Sequence, residues 1–312
     1  MKNLPQQLGT PPALMRAQIQ KFRAASKADE TKRALKKNWH AFEGWCSAVG
    51  VAPFPCIPET LEAYLVHLAE QGLKAASIDQ ARWAINARHK LSELPAPGDT
   101  ERVKVVMAGI KRTIGTHQTQ KSALTIEHFN KIPFRVDLIG KRDKALLLVG
   151  FAGGLRRSEL AGLRVEHLET VPLGIRIHLQ RSKKNQEGKD ESVDIVPASL
   201  FPYCCPVKSL EDWLRASGIT TGPLFPSINR WEQLGRRLST VSIGKIAKWA
   251  ASCCGMDPEQ FGGHSLRAGC ATYLLDKGIA LNVVAKHGRW KKYDSVLRYD
   301  RNATAKVLTG VY

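Results

Sequence analysis

The sequence predicts a mainly α (α+β) fold in two domains, the first helical and the second mostly helical with a small antiparallel β-sheet. Apolar residues recur at the helical spacing of three and four positions through most of the chain. One segment around residue 177 instead alternates apolar and polar residues, which is typical of a half-exposed strand. A length of 312 residues suffices for two domains of about 100 to 200 residues, each with its own core.

Three apolar faces predict the helices of the first domain, residues 1–118. The first face ends before Gly50, which is typical of a helix C-terminus, and Ser77 is predicted to cap a further helix that runs to about Leu91. Because helical spacing accounts for the apolar and aromatic side chains, we interpret these faces as core. The faces are formed by Trp39, Phe42, Cys46 and Val49, by Leu61, Tyr64, Leu65 and Leu68, and by Val103, Val106, Met107 and Ile110.

The second domain, residues 119–312, follows a polar stretch without apolar periodicity at residues 113–122, which predicts a linker. Ile175, Ile177 and Leu179 predict a strand, and a second strand at residues 192–196 completes a hairpin. The turn between these strands, residues 181–190, is rich in cations. The other segments predict helices over residues 142–151, 207–216, 241–254, 266–277 and 280–286.

The charge of the chain favours a polyanionic partner. Lys and Arg number 47 against 28 Asp and Glu, which gives a net charge of +19. Both predicted domains are basic, at +7 and +12, so no single basic tail explains the excess. A clamp of two basic domains around nucleic acid predicts this distribution, and a merely soluble basic protein is the alternative. The cations on the predicted outer face of the first domain are Lys32, Arg33, Lys36, Lys37, Lys74, Arg82, Arg88 and Lys90.

Several other classes of protein are excluded. The longest apolar run, residues 145–152, is far shorter than the roughly 20 residues of a membrane span, and the first thirty residues lack a signal-peptide core. An odd number of cysteines without a Cys-x-x-Cys motif predicts reduced thiols and neither a disulfide framework nor a zinc site. These cysteines are Cys46, Cys56, Cys204, Cys205, Cys253, Cys254 and Cys270.

Two patches of the second domain combine a fixed cation with an acid or a base. Arg156 follows a Gly-Gly break and shares a helical face with Glu159, whose carboxylate would hold a guanidinium that can bind two phosphate oxygens. His264 and Arg267 lie one helical turn apart between small residues, so a proton acceptor or donor would stand beside a cation. Each patch has an alternative explanation when it is considered alone. The first could be an ordinary exposed ion pair, and the second could be a spacing that arises by chance.

A third patch contains Trp290 and, nine residues later, Tyr299 between two arginines. A phenol ordinarily titrates near about 10, and neighbouring cations favour its anion, which is the nucleophilic form. Tyr293 is a rival nucleophile, His287 is an alternative to Trp290, and a tyrosine packed in a C-terminal helix would explain the pattern without chemistry.

The order of these residues, with a lysine in the predicted hairpin, resembles that of the tyrosine recombinases, also called phage-type integrases. The interval from Trp290 to Tyr299 is similar to that in members with Trp where many relatives have His. The resemblance covers almost the whole chain and implies an N-terminal helical core-binding (SAM-like) domain over residues 1–118 and a catalytic domain over residues 119–312. The matching positions are Arg156, Lys183, His264, Arg267, Trp290 and Tyr299, with Glu159 at the acidic position of the family.

The resemblance implies a role for each of these residues in cutting and rejoining DNA. Arg156 and Arg267 would bind the non-bridging oxygens of the scissile phosphate. Tyr299 would attack phosphorus and form a 3'-phosphotyrosyl enzyme. Lys183 would protonate the 5'-oxygen that leaves, and His264 would perform acid–base work around the nucleophile.

Four further positions complete the implied site. Trp290 would pack and hydrogen-bond near the phosphate, and Glu159 would orient the basic groups. Lys184 is the alternative to Lys183 if the register of the hairpin shifts, and Arg157 is expected to contact the DNA backbone or to serve the structure.

The implied partner is double-stranded DNA with specific recombination sites. The resemblance also implies a homo-tetramer on paired sites, with the C-terminal segment packed into a neighbouring protomer or, alternatively, onto its own subunit. We expect no membrane association, no metal, no ATP or other cofactor, a cytoplasmic, nucleoid-associated protein, and a possible accessory DNA-bending factor. A type IB topoisomerase-like or resolvase activity and a catalytically silent DNA-binding protein are the alternative functions.

Overall fold

The structure is a computed structural model that describes residues 28–117, 120–179 and 191–300, together with Met15 and residues 17–19 and 21–22. The chain divides into two compact units, residues 1–118 and 119–312. Helices dominate both units, and the sheets are small and antiparallel, so the predicted mainly α (α+β) class is confirmed. In the part of the chain that the structure describes, no helix is both long enough and apolar enough to cross a membrane.

Four helices share an apolar core in the first unit, over residues 29–114. Phe42, Leu61, Leu65 and Val103 are fully buried at the centre, as the three apolar faces predict. Gly50 ends the first helix with a φ of +74°, and its N–H donates to the carbonyl of Cys46. The helices are α1 (Asp29–Val49), α2 (Pro58–Glu70), α3 (Ala75–Leu91) and α4 (Glu101–Ile114).

Two details of the first unit differ from the prediction. Ser77 does not cap α3, because the helix already begins at Ala75, and Lys74 stands at its N-cap without a side-chain hydrogen bond. Val49 lies on the predicted apolar face of α1 but is half exposed, because it is the last residue of the helix.

The second unit contains eight helices among its described residues. Its central helix, α6, carries charged residues at positions 141–144, but residues 145–151 are apolar and buried, so the C-terminal half of the helix lies in the core. Residues 142–151, which predict a buried helix, lie within it. The helices are α5 (Ile126–Phe129), α6 (Leu138–Ala152), α7 (Arg157–Gly162), α8 (Pro206–Ser217), α9 (Thr240–Cys253), α10 (Ser265–Asp276), α11 (Leu281–His287) and α12 (Asp294–Leu297).

The predicted hairpin forms two strands of a three-stranded antiparallel sheet. Ile175, Ile177 and Leu179 point into the core, whereas Arg176 and His178 lie on the outer face and pair with carboxylates of neighbouring strands. The cation-rich turn at residues 181–190 lies outside the described residues. Two features that the sequence did not predict are the third strand and a separate two-stranded hairpin. The strands are β1 (Leu168–Val171), β2 (Gly174–Leu179), β3 (Glu191–Ile195), β4 (Pro226–Ile228) and β5 (Leu234–Arg237).

The first residues of the second unit cross closely over α10. The N–H of Leu124 donates to the carbonyl of Ser265 at 3.1 Å. A β-carbon added at Gly269 would lie 1.7 Å from the carbonyl oxygen of Leu124, so only glycine allows this approach. The crossing holds α10 in place, and α10 carries Arg267.

We expect Gly269→Ala to lower the free energy of unfolding of the protein by about 2 to 3 kcal/mol, because backbone must move to admit the methyl group. Urea denaturation monitored by far-UV circular dichroism measures this change. The matched control is Gly244→Ala, in the interior of α9, where the new β-carbon meets only the amide of Gly263 at 3.9 Å. That variant should gain up to about 1 kcal/mol from helix propensity. Equal stability of the two variants would contradict the prediction.

Candidate active site

The C-terminal end of α6 presents backbone carbonyl groups to three basic side chains. His287 donates from Nε2 to the carbonyl of Ala152 at 2.7 Å, and Arg289 donates to that of Gly153 at 3.3 Å. Arg267 donates to the carbonyl of Gly154 at 2.5 Å. The last carbonyls of a helix have no partner within it and carry partial negative charge, so they attract cations. The buried helix therefore anchors the basic groups of the site.

Arg156 and Glu159 form the predicted pair at the start of α7. Arg156 precedes the helix, its backbone N–H donates to Glu159 Oε2 at 2.8 Å, and its Nη1 contacts Glu159 Oε1. The Glu159 side chain is 2% exposed. Burial by itself raises the pKa of Glu159, but the Arg156 N–H and the charges of Arg289 and Arg156 outweigh burial and hold the pKa below its ordinary value. Glu159 is therefore a carboxylate at neutral pH.

Arg289 is a member of the cluster that sequence reasoning did not identify. Its Nη2 donates to Glu159 Oε2 at 3.0 Å, and its side chain is 8% exposed. Its own carbonyl accepts a hydrogen bond from Arg156 Nη2 at 3.1 Å. The only hint of Arg289 in the sequence was its position directly before Trp290. No local pattern links Arg289 to the carboxylate of Glu159, which lies 130 residues earlier.

Arg267 lies over the ring of Trp290, and the Trp290 ring packs against that of Tyr299 at an interplanar angle of 55°. The guanidinium carbon of Arg267 lies 3.9 Å from the centre of the Trp290 ring, and the centres of the Trp290 and Tyr299 rings are 5.8 Å apart. Burial, followed by repulsion from the charges of Arg156 and Arg289, lowers the pKa of Arg267 to about 10. A cation on an indole face is stabilised by the ring quadrupole, so Trp290 holds both the cation and the phenol.

The two candidate tyrosines differ in their surroundings. Tyr299 is half-buried beside Trp290, and its carbonyl accepts a hydrogen bond from Thr272 of α10 at 3.3 Å. Tyr293 is the N-cap residue of α12 and has an exposed fraction of 58%. Of the two, Tyr299 is the one next to the cations.

His264 lies at the start of α10, one turn before Arg267, and is exposed. The glycine beside it makes room for a neighbouring cation, because the aliphatic part of the Arg157 side chain packs directly on Gly263. His287 instead points inward to the end of α6, and burial lowers its pKa below the ordinary value despite the hydrogen bond to Ala152.

The structure thus brings five of the predicted site residues into one connected network of contacts. Arg156 and Glu159 contact Arg289, which donates to the carbonyl of Gly153. Arg267 donates to the adjacent carbonyl of Gly154 and lies over Trp290, which packs against Tyr299. His264 shares a helix with Arg267. Lys183 and Lys184 lie outside the described residues.

The cysteines are free thiols, and burial raises the pKa of Cys270, which adjoins the site, to about 12. A thiol with such a pKa is a poor nucleophile at neutral pH. Among the described residues, no group of three or more His, Cys, Asp or Glu side chains is arranged to hold a metal ion.

Comparisons with known proteins agree on one family. Residues 119–306 match the family model described as the phage integrase family. An integrase/recombinase XerD homolog of Selenomonas ruminantium is 35% identical over 281 residues, which are 88% of this chain and 82% of the relative. The recombinase Cre of Escherichia phage P1 is 25% identical over 299 residues, which are 88% of this chain and 84% of Cre.

Solved structures show the same fold. The Tn1549 transposon integrase in complex with transposon right end DNA has a TM-score of 0.62 at 14% identity, with 91% of this chain and 93% of that chain covered. A lambda integrase dimer bound to a COC' core site has a TM-score of 0.61 at 16% identity, with 93% and 95% covered.

We expect Glu159→Gln to lower the free energy of unfolding at pH 7 by about 3 kcal/mol, because it leaves buried guanidinium groups without their counter-charge. The folded pKa of Glu159 lies below the ordinary 4.5. The contribution of the carboxylate is therefore present above that value and is lost as the pH falls through the folded pKa.

Urea denaturation of both proteins at a series of pH values measures the difference. The difference should be full at pH 7 and should shrink below about pH 4.5. Glu211→Gln, an exposed glutamate of α8, is the matched control and should leave stability unchanged. A difference for Glu159→Gln that stays constant down to about pH 3 would refute this account of its carboxylate.

Proposed function

Because the chain belongs to the phage integrase family of tyrosine recombinases, we propose that its arginine cluster and Tyr299 together cut and rejoin duplex DNA at specific sites. The observation that carries this proposal is the chain of contacts from Arg267 to Trp290 and from Trp290 to Tyr299, beside the Arg156–Glu159 pair. These contacts bring a phenol near guanidinium groups that suit a phosphate, which is the chemistry that a phosphotyrosyl intermediate requires.

Arg156 and Arg267 bind the two non-bridging oxygens of the scissile phosphate. A guanidinium has five N–H donors. Glu159, Gly154 and the carbonyl of Arg289 engage some of these donors, which fixes each guanidinium plane before DNA arrives. Groups that are already oriented stabilise the charge of a pentacoordinate transition state without reorganising during the reaction.

Tyr299 is the nucleophile. Its phenolic oxygen bonds to phosphorus while the bond to the 5'-oxygen breaks, which leaves a 3'-phosphotyrosyl enzyme and a free 5'-hydroxyl. His264 accepts the phenolic proton, and Lys183 gives a proton to the departing 5'-oxygen. Lys184 is the alternative donor. Attack by a 5'-hydroxyl reverses each step and rejoins the strand.

Trp290 and Glu159 position the reacting groups. Trp290 contacts both the guanidinium of Arg267 and the ring of Tyr299. Glu159 orients Arg156. The phosphotyrosyl bond retains the free energy of the phosphodiester, so rejoining draws on no nucleotide.

Exposed cations on the first unit support duplex DNA as the partner. Lys36, Lys37 and Lys74 are exposed on the first unit, and Arg88 stacks on Trp39. Other candidates of that face are engaged within the protein: Lys32 with Asp29, Arg33 with Glu30, Arg82 with Asp79, and Lys90 with Asp99. Phosphate contacts from such cations supply affinity that does not depend on base sequence. The Tn1549 and lambda integrase structures both contain DNA.

A tetramer on paired sites is the assembly that strand exchange requires. A largely apolar cavity of about 440 Å³ adjoins the site between α6, α10 and α11, with Phe151, Tyr273 and Val283 among its lining residues. We propose that it receives the C-terminal segment of a neighbouring protomer, which carries Val307, Leu308 and Val311. The proposed location is the cytoplasm, on the nucleoid, where an accessory DNA-bending factor can join the complex.

Tyr299→Phe is expected to abolish the covalent protein–DNA adduct, because it removes the attacking oxygen. The measurement is trapping on a nicked suicide duplex with the candidate site from DNA flanking the gene, without divalent metal, followed by denaturing electrophoresis. Tyr293→Phe is the matched control and should form the adduct like wild type. An adduct that survives in Tyr299→Phe and disappears in Tyr293→Phe would reverse the assignment of the nucleophile.

A chain that ends at Asp300 is expected to cleave the nicked duplex but to yield few exchanged products from two duplexes with matching sites, because its neighbour's cavity stays unfilled. Quantifying adduct and exchanged product in parallel separates the two steps, and light scattering on DNA gives the assembly. Normal recombination by the shortened chain would refute the role of the segment. Relaxed DNA without exchanged product from the full chain would favour a topoisomerase-like activity.

A further inference from the structure

Arg289 has a backbone conformation that side chains seldom adopt. Its φ is +59°, and only Glu93 and Glu232 share a positive φ among the other non-glycine residues that the structure describes. Glycine enters this region freely, whereas a β-carbon makes it unfavourable. A residue that keeps a long side chain here must gain something from that side chain.

The guanidinium of Arg289 is enclosed by the site. It donates to the carbonyls of His287 at 3.0 Å and Gly153 at 3.3 Å, and to Glu159 Oε2 at 3.0 Å. Its side chain is 8% exposed, and its Nε is buried without a hydrogen-bond partner in the described part of the structure. Four acceptors of the protein, on His287, Gly153, Gly154 and Glu159, engage Nη1 and Nη2, so these groups are committed before DNA arrives and the effect of Arg289 on a phosphate passes through its neighbours.

Arg289 constrains Arg156 from two directions. The carbonyl of Arg289 accepts a hydrogen bond from Arg156 Nη2 at 3.1 Å. Its guanidinium holds the Glu159 carboxylate, which in turn binds the backbone N–H and Nη1 of Arg156. Arg289 therefore holds Arg156 directly through its carbonyl and indirectly through Glu159.

Arg289 also changes the charge of the cluster. With it, the cluster holds three guanidinium groups and the single Glu159 carboxylate, which leaves a formal excess of two positive charges. Arg156 and Arg289 pair with the carboxylate, and Arg267 lies beside them. Without it, Arg156 and Glu159 neutralise each other, and Arg267 supplies the one remaining charge. Since a transferring phosphate gains negative charge in the transition state, the larger excess stabilises that state more.

We propose that Arg289 is a positioning residue of the recombination reaction, which aligns Arg156 through Glu159 and keeps the site positively charged without touching DNA. The inference rests on the proposed function, because the phosphate that Arg156 would bind is the scissile one. The positioning role explains why residue 289 is an arginine although its positive φ would suit glycine.

The test uses full-length Arg289→Gly, whose backbone is free to keep the φ of the wild type. The rate of adduct formation is measured in single turnover with saturating nicked duplex, and the affinity for DNA is measured separately. We expect the rate to fall by about 100-fold, as on removal of one oriented donor from a transition-state site, while affinity changes by less than about twofold. Arg289→Lys, which keeps the charge but lacks the fork, should recover part of the rate. Glu93→Gly is the matched control for the change at positive φ and should react like wild type.

A second substrate separates electrostatic positioning from mere structural damage. A methylphosphonate at the scissile position replaces one charged oxygen with methyl, so the transition state needs less positive charge. On this duplex the deficit of Arg289→Gly relative to wild type should shrink to less than about tenfold. An undiminished deficit, or equal losses of rate and DNA affinity, would indicate a structural role and overturn the inference, as would a wild-type rate in Arg289→Gly. Failure of the wild-type protein to form an adduct would overturn the proposed function itself.

Discussion

The buried carboxylate of Glu159 is the interaction on which the candidate site depends. It is almost completely removed from solvent, and an isolated charge in that position would be strongly destabilising. Arg156 and Arg289 supply the compensation, one from the start of α7 and the other from the turn after α11. Because each guanidinium needs the carboxylate and the carboxylate needs both, the three side chains fix the relative positions of two segments that are far apart in the sequence.

The core of the second unit determines where this cluster forms. The C-terminal half of α6 is buried because residues 145–151 are apolar on every side, and the last carbonyls of the helix therefore lie at a fixed point. The chain then turns at Gly154, whose φ is +51° and where a β-carbon would lie 3.4 Å from the sulfur of Cys270. This turn leaves the carbonyls of Gly153 and Gly154 open to Arg289 and Arg267. The apolar packing of α6 thus fixes the carbonyl groups that orient the arginines of the proposed site.

Apolar periodicity in the sequence predicted the helices and the strand that bury one face, and it did not predict the shortest strands. The spacing of apolar side chains predicted the buried faces of α1, α2 and α4. The alternation of apolar and polar side chains predicted β2. β1, β4 and β5 have three or four residues each, too few for a period to emerge. Local patterns singled out Arg156, Arg267 and Tyr299 as candidates, and the order of these residues then matched the family. Arg289 escaped because its contribution depends on a positive φ and on a partner 130 residues away, neither of which leaves a local pattern.

Trp290 shows how the division of labour in the proposed reaction follows from side-chain chemistry. An indole neither gains nor loses a proton near neutral pH, so it cannot perform the proton transfer that an imidazole at the same position could. It offers instead an aromatic face to Arg267 and packs against Tyr299. In the proposed reaction the proton transfers are therefore assigned to His264 and Lys183, and the phosphate charge to arginines whose planes are already fixed. Charge stabilisation and proton transfer thus rest on different side chains of the proposed site.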